Sequence, residues 1–276
     1  MTCSGVRFPN LSPSSGGGTI AGGNVTVVTT SVLISGFGGR MASEIADAIA
    51  STEDLVVAGG YNPRRAEYTD SDVDADVVLE VTRPEVVMGN LRRWQERGLP
   101  CVVGTSGFTA ESIEEVRSFW GADDPACLIV PNFSIGAVLM IRFAEAAASW
   151  FEDVEIVERH HADKPDAPSG TAINTAERIA SVGGAASVEL DGAAAHGELH
   201  HGIAIHSMRH EGVVAQQEVF FSGPGESLRI EHVSGDRASF RRGALVALRA
   251  VTELRGVHVG LDEILIGGSS GDRPQS

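Results

Sequence analysis

Lysine is almost missing from this chain of 276 residues: Lys164 is the single one, so the other twenty of its 21 basic residues are arginine. Positive charge as a whole is scarce, because 37 acidic residues leave a formal net charge of −16. A surface of that sign repels a nucleic-acid backbone or an anionic membrane, so neither is expected as a partner. Cysteine is also rare; Cys3, Cys101 and Cys127 are too few and too scattered for a disulfide framework or a zinc ribbon, which fits a reducing cytoplasm. No apolar run approaches the ~18 residues of a membrane span, and no charged-then-apolar leader opens the chain. Aromatics make up only 5% of the residues. An acidic, lysine-poor, aromatic-poor composition is that of proteins from salt-loving organisms. A GC-rich genome favouring arginine codons accounts for the lysine deficit but less well for the net charge.

Hydrophobic residues, at 42%, are ample for a core, and the length suits two domains. Residues 1–24 are rich in Ser and Gly and read as a flexible tail. Strand-like runs at Val25–Ile34, Leu55–Ala58, Val77–Val81, Cys101–Val103 and Cys127–Val130 alternate with helical segments at Met41–Ala50, Glu85–Arg97 and Ala110–Trp120. Such alternation predicts an α/β, doubly wound parallel sheet. After Asn132 the texture changes. A helix near Ile135–Trp150 leads to a strand at Val154–Glu158, a polar loop and a helix at Ala172–Ala180. Strand-like runs follow at Ile203–Met208, Val213–Phe221 and Leu228–Val233. These predict an inserted α+β unit with an antiparallel sheet. A helix at Phe240–Leu254 and a strand-like Val257–Ile266 are expected to return to the first sheet.

The first strand ends in Gly36-Phe37-Gly38-Gly39-Arg40-Met41-Ala42. Glycines at a strand-to-helix turn let the backbone approach a pyrophosphate, whose charge meets the free N–H groups of the helix. Met41 breaks a strict G-x-G-x-x-G, whereas Gly36, Gly39 and Ala42 fit G-x-x-G-x-x-A. A plain tight turn is the competing reading; the β/α alternation around it favours the dinucleotide. The second strand runs out through Asn62, Pro63, Arg64 and Arg65 with no carboxylate at its tip. An acid there would bind the ribose hydroxyls and repel a 2′-phosphate. Its absence, with Arg40, Arg64 and Arg65 close by, favours NADPH over NADH, unless those arginines are merely solvated.

The densest chemistry lies in Glu158-Arg159-His160-His161-Ala162-Asp163-Lys164-Pro165-Asp166-Ala167-Pro168-Ser169-Gly170-Thr171. Two imidazoles and an ammonium offer protons and attract carboxylates. Ser169, Gly170 and Thr171 add hydroxyls and N–H donors at a helix start, a ready anion site. A pocket for a small polyanion with a positioned proton donor follows. A metal site is the competing chemistry for these histidines. It is not expected, because neighbouring histidines on a strand point to opposite sides and neither HExxH nor CxxC is present. His196, His200, His201, His206 and His210 read as surface residues, and Gly104-Thr105-Ser106-Gly107 lacks the spacing of a serine-nucleophile elbow.

Taken in order, Gly36–Met41, Thr82-Arg83-Pro84, Gly104-Thr105-Ser106-Gly107-Phe108, Asn132-Phe133-Ser134-Ile135-Gly136, the His160–Ala172 string and Ser234-x-x-Arg237-x-x-Phe240-x-x-Gly243-Ala244 resemble the 4-hydroxy-tetrahydrodipicolinate reductase family over roughly 32–250. The resemblance implies a Rossmann-type domain of residues 25–132 plus 238–276, and a substrate and oligomerisation domain of 133–237. It implies NAD(P)H-dependent reduction of a small cyclic dicarboxylate in the diaminopimelate route to lysine, commonly by a homotetramer. Residue by residue, Gly36, Phe37, Gly38, Gly39, Arg40 and Met41 would wrap the pyrophosphate. Gly104, Thr105 and Ser106 would lie along the nicotinamide, and Val130, Pro131, Asn132 and Phe133 would form the cofactor-side hinge. His160 matches the family's proton donor/acceptor and Lys164 its proton donor; His161, Gly170 and Thr171 match groups that bind the carboxylates, and Ser169 stands with them.

Some positions depart from the pattern. Glu80-Val81-Thr82 stands where the family usually has Asp-Phe-Thr, and Ser106 replaces a threonine. The stretch between Arg65 and Val77 is short, and a sheet histidine is replaced near Gln216–Gln217. Two other readings stay open on sequence: another two-domain nicotinamide dehydrogenase acting on an amino acid or semialdehyde, and a non-catalytic NAD(P) sensor.

Overall fold

The computed structural model describes residues 29–65, 68, 72–187 and 196–266. The 1–24 segment and the first residues of the predicted Val25–Ile34 strand lie outside them. The chain runs through β1 (Thr30–Ser35), α1 (Arg40–Ile49), β2 (Leu55–Tyr61), β3 (Val77–Glu80), α2 (Pro84–Glu96), β4 (Cys101–Val103), α3 (Ala110–Phe119) and β5 (Cys127–Ile129). Then come α4 (Ile135–Ala148), β6 (Asp153–His160), α5 (Gly170–Val182), β7 (Glu198–His200), β8 (Ile203–Arg209), β9 (Ala215–Gly223) and β10 (Glu226–Ser234). It closes with α6 (Arg241–Ala250), β11 (Val257–Val259) and α7 (Asp262–Ile266).

Six strands form one parallel sheet in the order β11-β5-β4-β3-β1-β2. Val32, Leu33 and Ile34 on β1 and Val77, Val78 and Leu79 on β3 are fully buried, as continuous apolar runs must be when helices cover both faces. On one face Ala42, Ile45 and Ile49 of α1 and Ala244, Ala247 and Leu248 of α6 share a core with β1 and β3. On the other, Leu91 and Trp94 of α2 and Val116 of α3 pack under Leu33, Val78 and Val103. From β1 the chain steps to β2 on one side and returns to β3 on the other. The strand order therefore reverses beside β1, and a crevice opens at the carboxyl ends of β1 and β3.

The second sheet has the order β10-β9-β6-β8-β7. It is mixed, not antiparallel as the sequence suggested, because β6 and β8 run parallel. The reason is connectivity: between β6 and β8 the chain passes through α5 and the short β7, and β7 pairs antiparallel with β8, so β8 comes back in the direction of β6. One face of this sheet buries Val154, Ile156, Ile205, Val219 and Phe221 against Ala144 and Ala148 of α4 and Ala172, Ala176 and Ile179 of α5.

The C-terminal run corrects another expectation. The predicted strand Val257–Ile266 is only β11 followed by α7, because Gly260 takes φ +86°, donates its N–H to Ile129 O at 2.8 Å and turns the chain out of the sheet. Likewise the helix expected over Phe240–Leu254 is α6 flanked by single 3-10 turns at Arg237–Phe240 and Val251–Glu253. Among the described residues no helix is long and apolar enough to cross a membrane.

Candidate active site

The glycine turn sits at the crevice. Gly36 (φ +94°) and Gly38 (φ +78°) occupy the left-handed region, and a Cβ on Gly36 would lie 2.7 Å from Val81 O, so only glycine serves there. Gly39 caps α1 without any side-chain hydrogen bond, and no acidic residue stands in the first turn. The positive end of α1 is left for an external anion. Phe37 packs on Gly60, where a Cβ would come within 2.3 Å of the ring, and its carbonyl accepts from Asn62 Nδ2 at 2.8 Å. Arg65 lies over the turn and donates to Gly38 O at 3.3 Å, while Arg40 and Arg64 are exposed. The glycine turn thus has one arginine, Arg65, laid over it beside a helix start that no side chain caps.

Across the crevice, Gly104 leaves β4 directly against Phe133: a Cβ there would meet the Phe133 ring at 2.3 Å and Val81 Cγ1 at 3.1 Å. Thr105 is buried, and its Oγ1 has no hydrogen-bond partner; Ser35 Oγ at the end of β1 is in the same state. Unmatched buried hydroxyls call for an external partner. Together with the glycine cradle and the free α1 terminus, they make the chain's residues fit a nicotinamide dinucleotide. Val130 N–H bonds Val103 O at 2.8 Å, and Asn132 Oδ1 accepts from Ser134 N at 2.8 Å, which fixes the strand-to-α4 turn containing Pro131.

The departure Glu80-Val81-Thr82 acquires a physical reason. Glu80 is fully buried, with Oε2 accepting from Trp94 Nε1 at 2.9 Å and Oε1 from Asn90 Nδ2 at 3.4 Å and from Thr82. The carboxylate ties α2 to the turn after β3. Burial pushes the neighbouring Cys101 thiol well up, with Cys127 and Glu80 adding to it. Sequence reasoning gave Glu80 no role.

Beyond the hinge lies the polar segment. His160 is the last residue of β6 and bonds Glu158 Oε2 through Nδ1 at 2.5 Å. Arg209, at the end of β8 and opposite His160, grips Glu158 with both nitrogens, Nη1 to Oε2 at 2.9 Å and Nη2 to Oε1 at 2.8 Å. Ser169 N–H adds a bond to Glu158 Oε1 at 3.2 Å. Burial pushes the Glu158 carboxyl up, but hydrogen bonds from His160, Arg209 and Ser207 and the charge of His160 outweigh it and hold it at about 2. Arg209 Nη2 also reaches Asp166 O at 2.5 Å, and the Asp166 carboxylate holds Lys164 Nζ at 2.7 Å from both oxygens. His161 is exposed.

At the start of α5, Ser169 is buried and its Oγ caps Ala172 N–H at 3.2 Å, so its hydroxyl oxygen is engaged within the helix. Gly170 is exposed, with nothing near a would-be Cβ, and Thr171 Oγ1 accepts from Asn132 Nδ2 at 3.4 Å. That bond joins the turn after β5 to the start of α5. His160, Lys164, Ser169, Thr171 and Asn132 are therefore brought into one connected polar cluster. Arg209 was missed because its place depends on the unexpected parallel register of β8 against β6. The alternation Ile203, Ile205, Ser207, Arg209 was the available signal. Of the scattered histidines, His206 pairs with Glu155, His200 with Glu198, and His196, His201 and His210 are exposed. Gln217, near the replaced histidine, is buried and donates to Thr175 Oγ1 at 2.7 Å. Among the described residues no group of three or more His, Cys, Asp or Glu side chains could hold a metal ion.

Family models described as dihydrodipicolinate reductase, N-terminus, and dihydrodipicolinate reductase, C-terminus, match residues 30–133 and 136–265. The 4-hydroxy-tetrahydrodipicolinate reductase of Nocardia farcinica (strain IFM 10152) is 44% identical over 249 residues, which cover 86% of this chain and 99% of that protein. The protein of the same name from Mycobacterium sp. (strain JLS) is 44% identical over 236 residues, 82% of this chain and 95% of that protein. A solved structure of dipicolinate-bound dihydrodipicolinate reductase from Paenisporosarcina sp. TG-14 superposes with a TM-score of 0.73 at 31% identity, covering 86% of this chain and 99% of that one. The chain belongs to the dihydrodipicolinate reductase family.

Proposed function

We propose that the chain catalyses the NAD(P)H-dependent reduction of 4-hydroxy-tetrahydrodipicolinate to tetrahydrodipicolinate, the diaminopimelate-route step of lysine biosynthesis. The observation that carries it is the Asn132–Thr171 bond, which ties the turn after β5 to the start of α5, the helix whose Ser169 N–H reaches the Glu158 carboxylate that also bonds His160. A nicotinamide dinucleotide held at the crevice would supply the hydride for the unsaturated ring, and the overall conversion balances with one proton taken up and the 4-hydroxyl lost as water. Gly36 to Met41 would hold its pyrophosphate, and Gly104, Thr105, Ser106 and the Val130–Phe133 hinge would flank the nicotinamide. The Gly170 and Thr171 N–H groups at the uncrowded start of α5, with His161, bind the substrate carboxylates. His160 and Lys164 hold the protons that the ring takes up. Orientation and preorganised charge do the remaining work.

Steady-state turnover of enzymatically generated substrate with either nicotinamide tests the reading. Cofactor binding without turnover would make the chain a sensor, and turnover of an amino acid or semialdehyde instead would make it another dehydrogenase. NADPH is expected to serve at least as well as NADH, because Arg65 lies on Gly38 and Arg40 and Arg64 stand nearby with no acid at the β2 tip. Arg65→Ala should raise KM for NADPH ~10-fold, the scale of one charge-assisted hydrogen bond, and leave NADH nearly unchanged. A strong NADH preference that survives both Arg64→Ala and Arg65→Ala would refute the phosphate argument.

A cytoplasmic homotetramer belongs to the same proposal. It is supported by the second sheet, whose face away from α4 and α5 carries exposed Leu199, Met208 and Val233. The net charge of −16 supports adaptation to salt. Raising ionic strength from 0.1 M to 1 M shortens the Debye length from ~10 Å to ~3 Å and relieves self-repulsion. Activity and Tm should both rise with KCl. A Tm that stays flat or falls between ~0.1 and ~2 M, ionic strengths that span this screening range, would contradict that adaptation.

A further inference from the structure

Glu158 points to the same side of β6 as His160, because residues two apart in a strand share a face. Its carboxylate is fully buried and receives four donors from three elements: His160 Nδ1 on its own strand, Arg209 and Ser207 on β8, and Ser169 N–H at the start of α5. On β9 its neighbour is Gln217, which is uncharged, and Arg159 on the opposite face is paired with Glu218. The remaining charged groups near it are Asp166, whose carbonyl accepts from Arg209, and Lys164 on the Asp166 carboxylate. An ionised carboxylate only accepts hydrogen bonds, so the shared proton sits on Nδ1 of His160. Nε2 then has no partner among the described residues, and in the neutral ring it is the acceptor.

We propose that Glu158, clamped by Arg209, is the positioning residue of this site: it fixes the tautomer and direction of the His160 ring and, through Arg209 and the Asp166 carbonyl, ties the Lys164 loop to the same buried carboxylate. The proposal rests on the assignment of His160 as a proton donor. Glu158 itself reaches no substrate atom. With Nδ1 held, every proton exchanged with substrate passes through Nε2, which delivers it when the ring is cationic and recovers it from solvent afterwards. Arg209 gives the carboxylate a fixed fork geometry that a single ammonium would not. A free Glu158 carboxylate would otherwise be a costly buried charge.

The test is nitrogen-15 NMR of the imidazoles in the full chain, with the His160 signals assigned from a His160→Asn variant. The wild-type ring should be the Nδ1–H tautomer. In Glu158→Gln the ring should become a tautomer mixture, because a neutral amide can either accept from or donate to Nδ1. The alkaline limb of the kcat profile, where a cationic proton donor is lost, should move to lower pH, kcat should drop ~10-fold or more, and KM should stay near its parent value. Glu158→Asp keeps the pair with Arg209 but withdraws the carboxylate by one methylene, so it should show the same tautomer mixing with a smaller loss of kcat; it decides the matter if the Gln variant does not fold. An unchanged tautomer and pH profile in the variants that fold would overturn the proposal. If the tautomer shifts as expected while His160→Asn turns over like the parent, the positioning stands and the proton-donor assignment fails.

Discussion

Lys164→Arg should preserve the fold and cofactor binding and lower kcat by ~10²-fold or more, the usual scale for a positioned general acid. The reasoning starts from the ion pair. Lys164 Nζ sits 2.7 Å from both oxygens of Asp166, and the ammonium is the main reason the Asp166 carboxyl stays below its ordinary value. Arginine forms such two-oxygen pairs better than lysine does. If the pair were all that mattered, arginine, which fills every other basic position, would serve here too. A guanidinium does not give up its proton near neutral pH, whereas an ammonium can. The survival of one lysine among 21 basic residues is explained by that difference. If Lys164 merely attracts the substrate's negative charge, Lys164→Arg should raise KM at most and leave kcat near the parent value. Lys164→Ala supplies the other bound, since it removes charge and proton together. A near-normal kcat for the Arg variant removes Lys164 from proton transfer.

The parallel sheet was readable because its strands are short continuous apolar runs separated by helices, and buried strands of that kind leave a direct mark in sequence. The glycine turn was readable for a similar reason: Gly36 and Gly38 take φ values that other residues avoid. The His160–Thr171 string carried its chemistry in consecutive residues. What stayed hidden depends on pairing between distant strands. The parallel register of β6 with β8 could not be read from alternation, which is the same for either direction, so Arg209 was not placed beside Glu158. Glu158 looked like any strand carboxylate because its four donors come from three separate elements. The Val257–Ile266 run misled because its apolar residues fit a strand, while the positive φ of Gly260 that ends it has no counterpart in hydrophobic pattern.

Gly243→Ala tests the packing that holds the cofactor side to the polar cluster. Gly243 lies on α6 against the backbone of Phe133, where an added Cβ would come within 1.9 Å of the carbonyl oxygen and 2.8 Å of its carbon. Phe133 has little room to retreat. It is 3% exposed, and its ring is already seated on Gly104. A flexible side chain could swing aside, but here backbone must move, so the cost should reach the upper end of the ~1–3 kcal/mol typical of overpacking. For a chain of this size that corresponds to a fall in Tm of about 6–12 °C. The displacement would also carry Asn132 away from Thr171, which should weaken NADPH binding ~10-fold even at temperatures where the variant is folded. Gly89→Ala is the matching control, because it sits exposed within α2 with no atom within 4 Å of a would-be Cβ. Helix propensity alone then favours alanine by ~0.8–1.0 kcal/mol, and Tm should rise slightly. Equal melting temperatures for the two alanine variants would show that Gly243 does not need its close approach to Phe133, and that the hinge is held by something other than this contact.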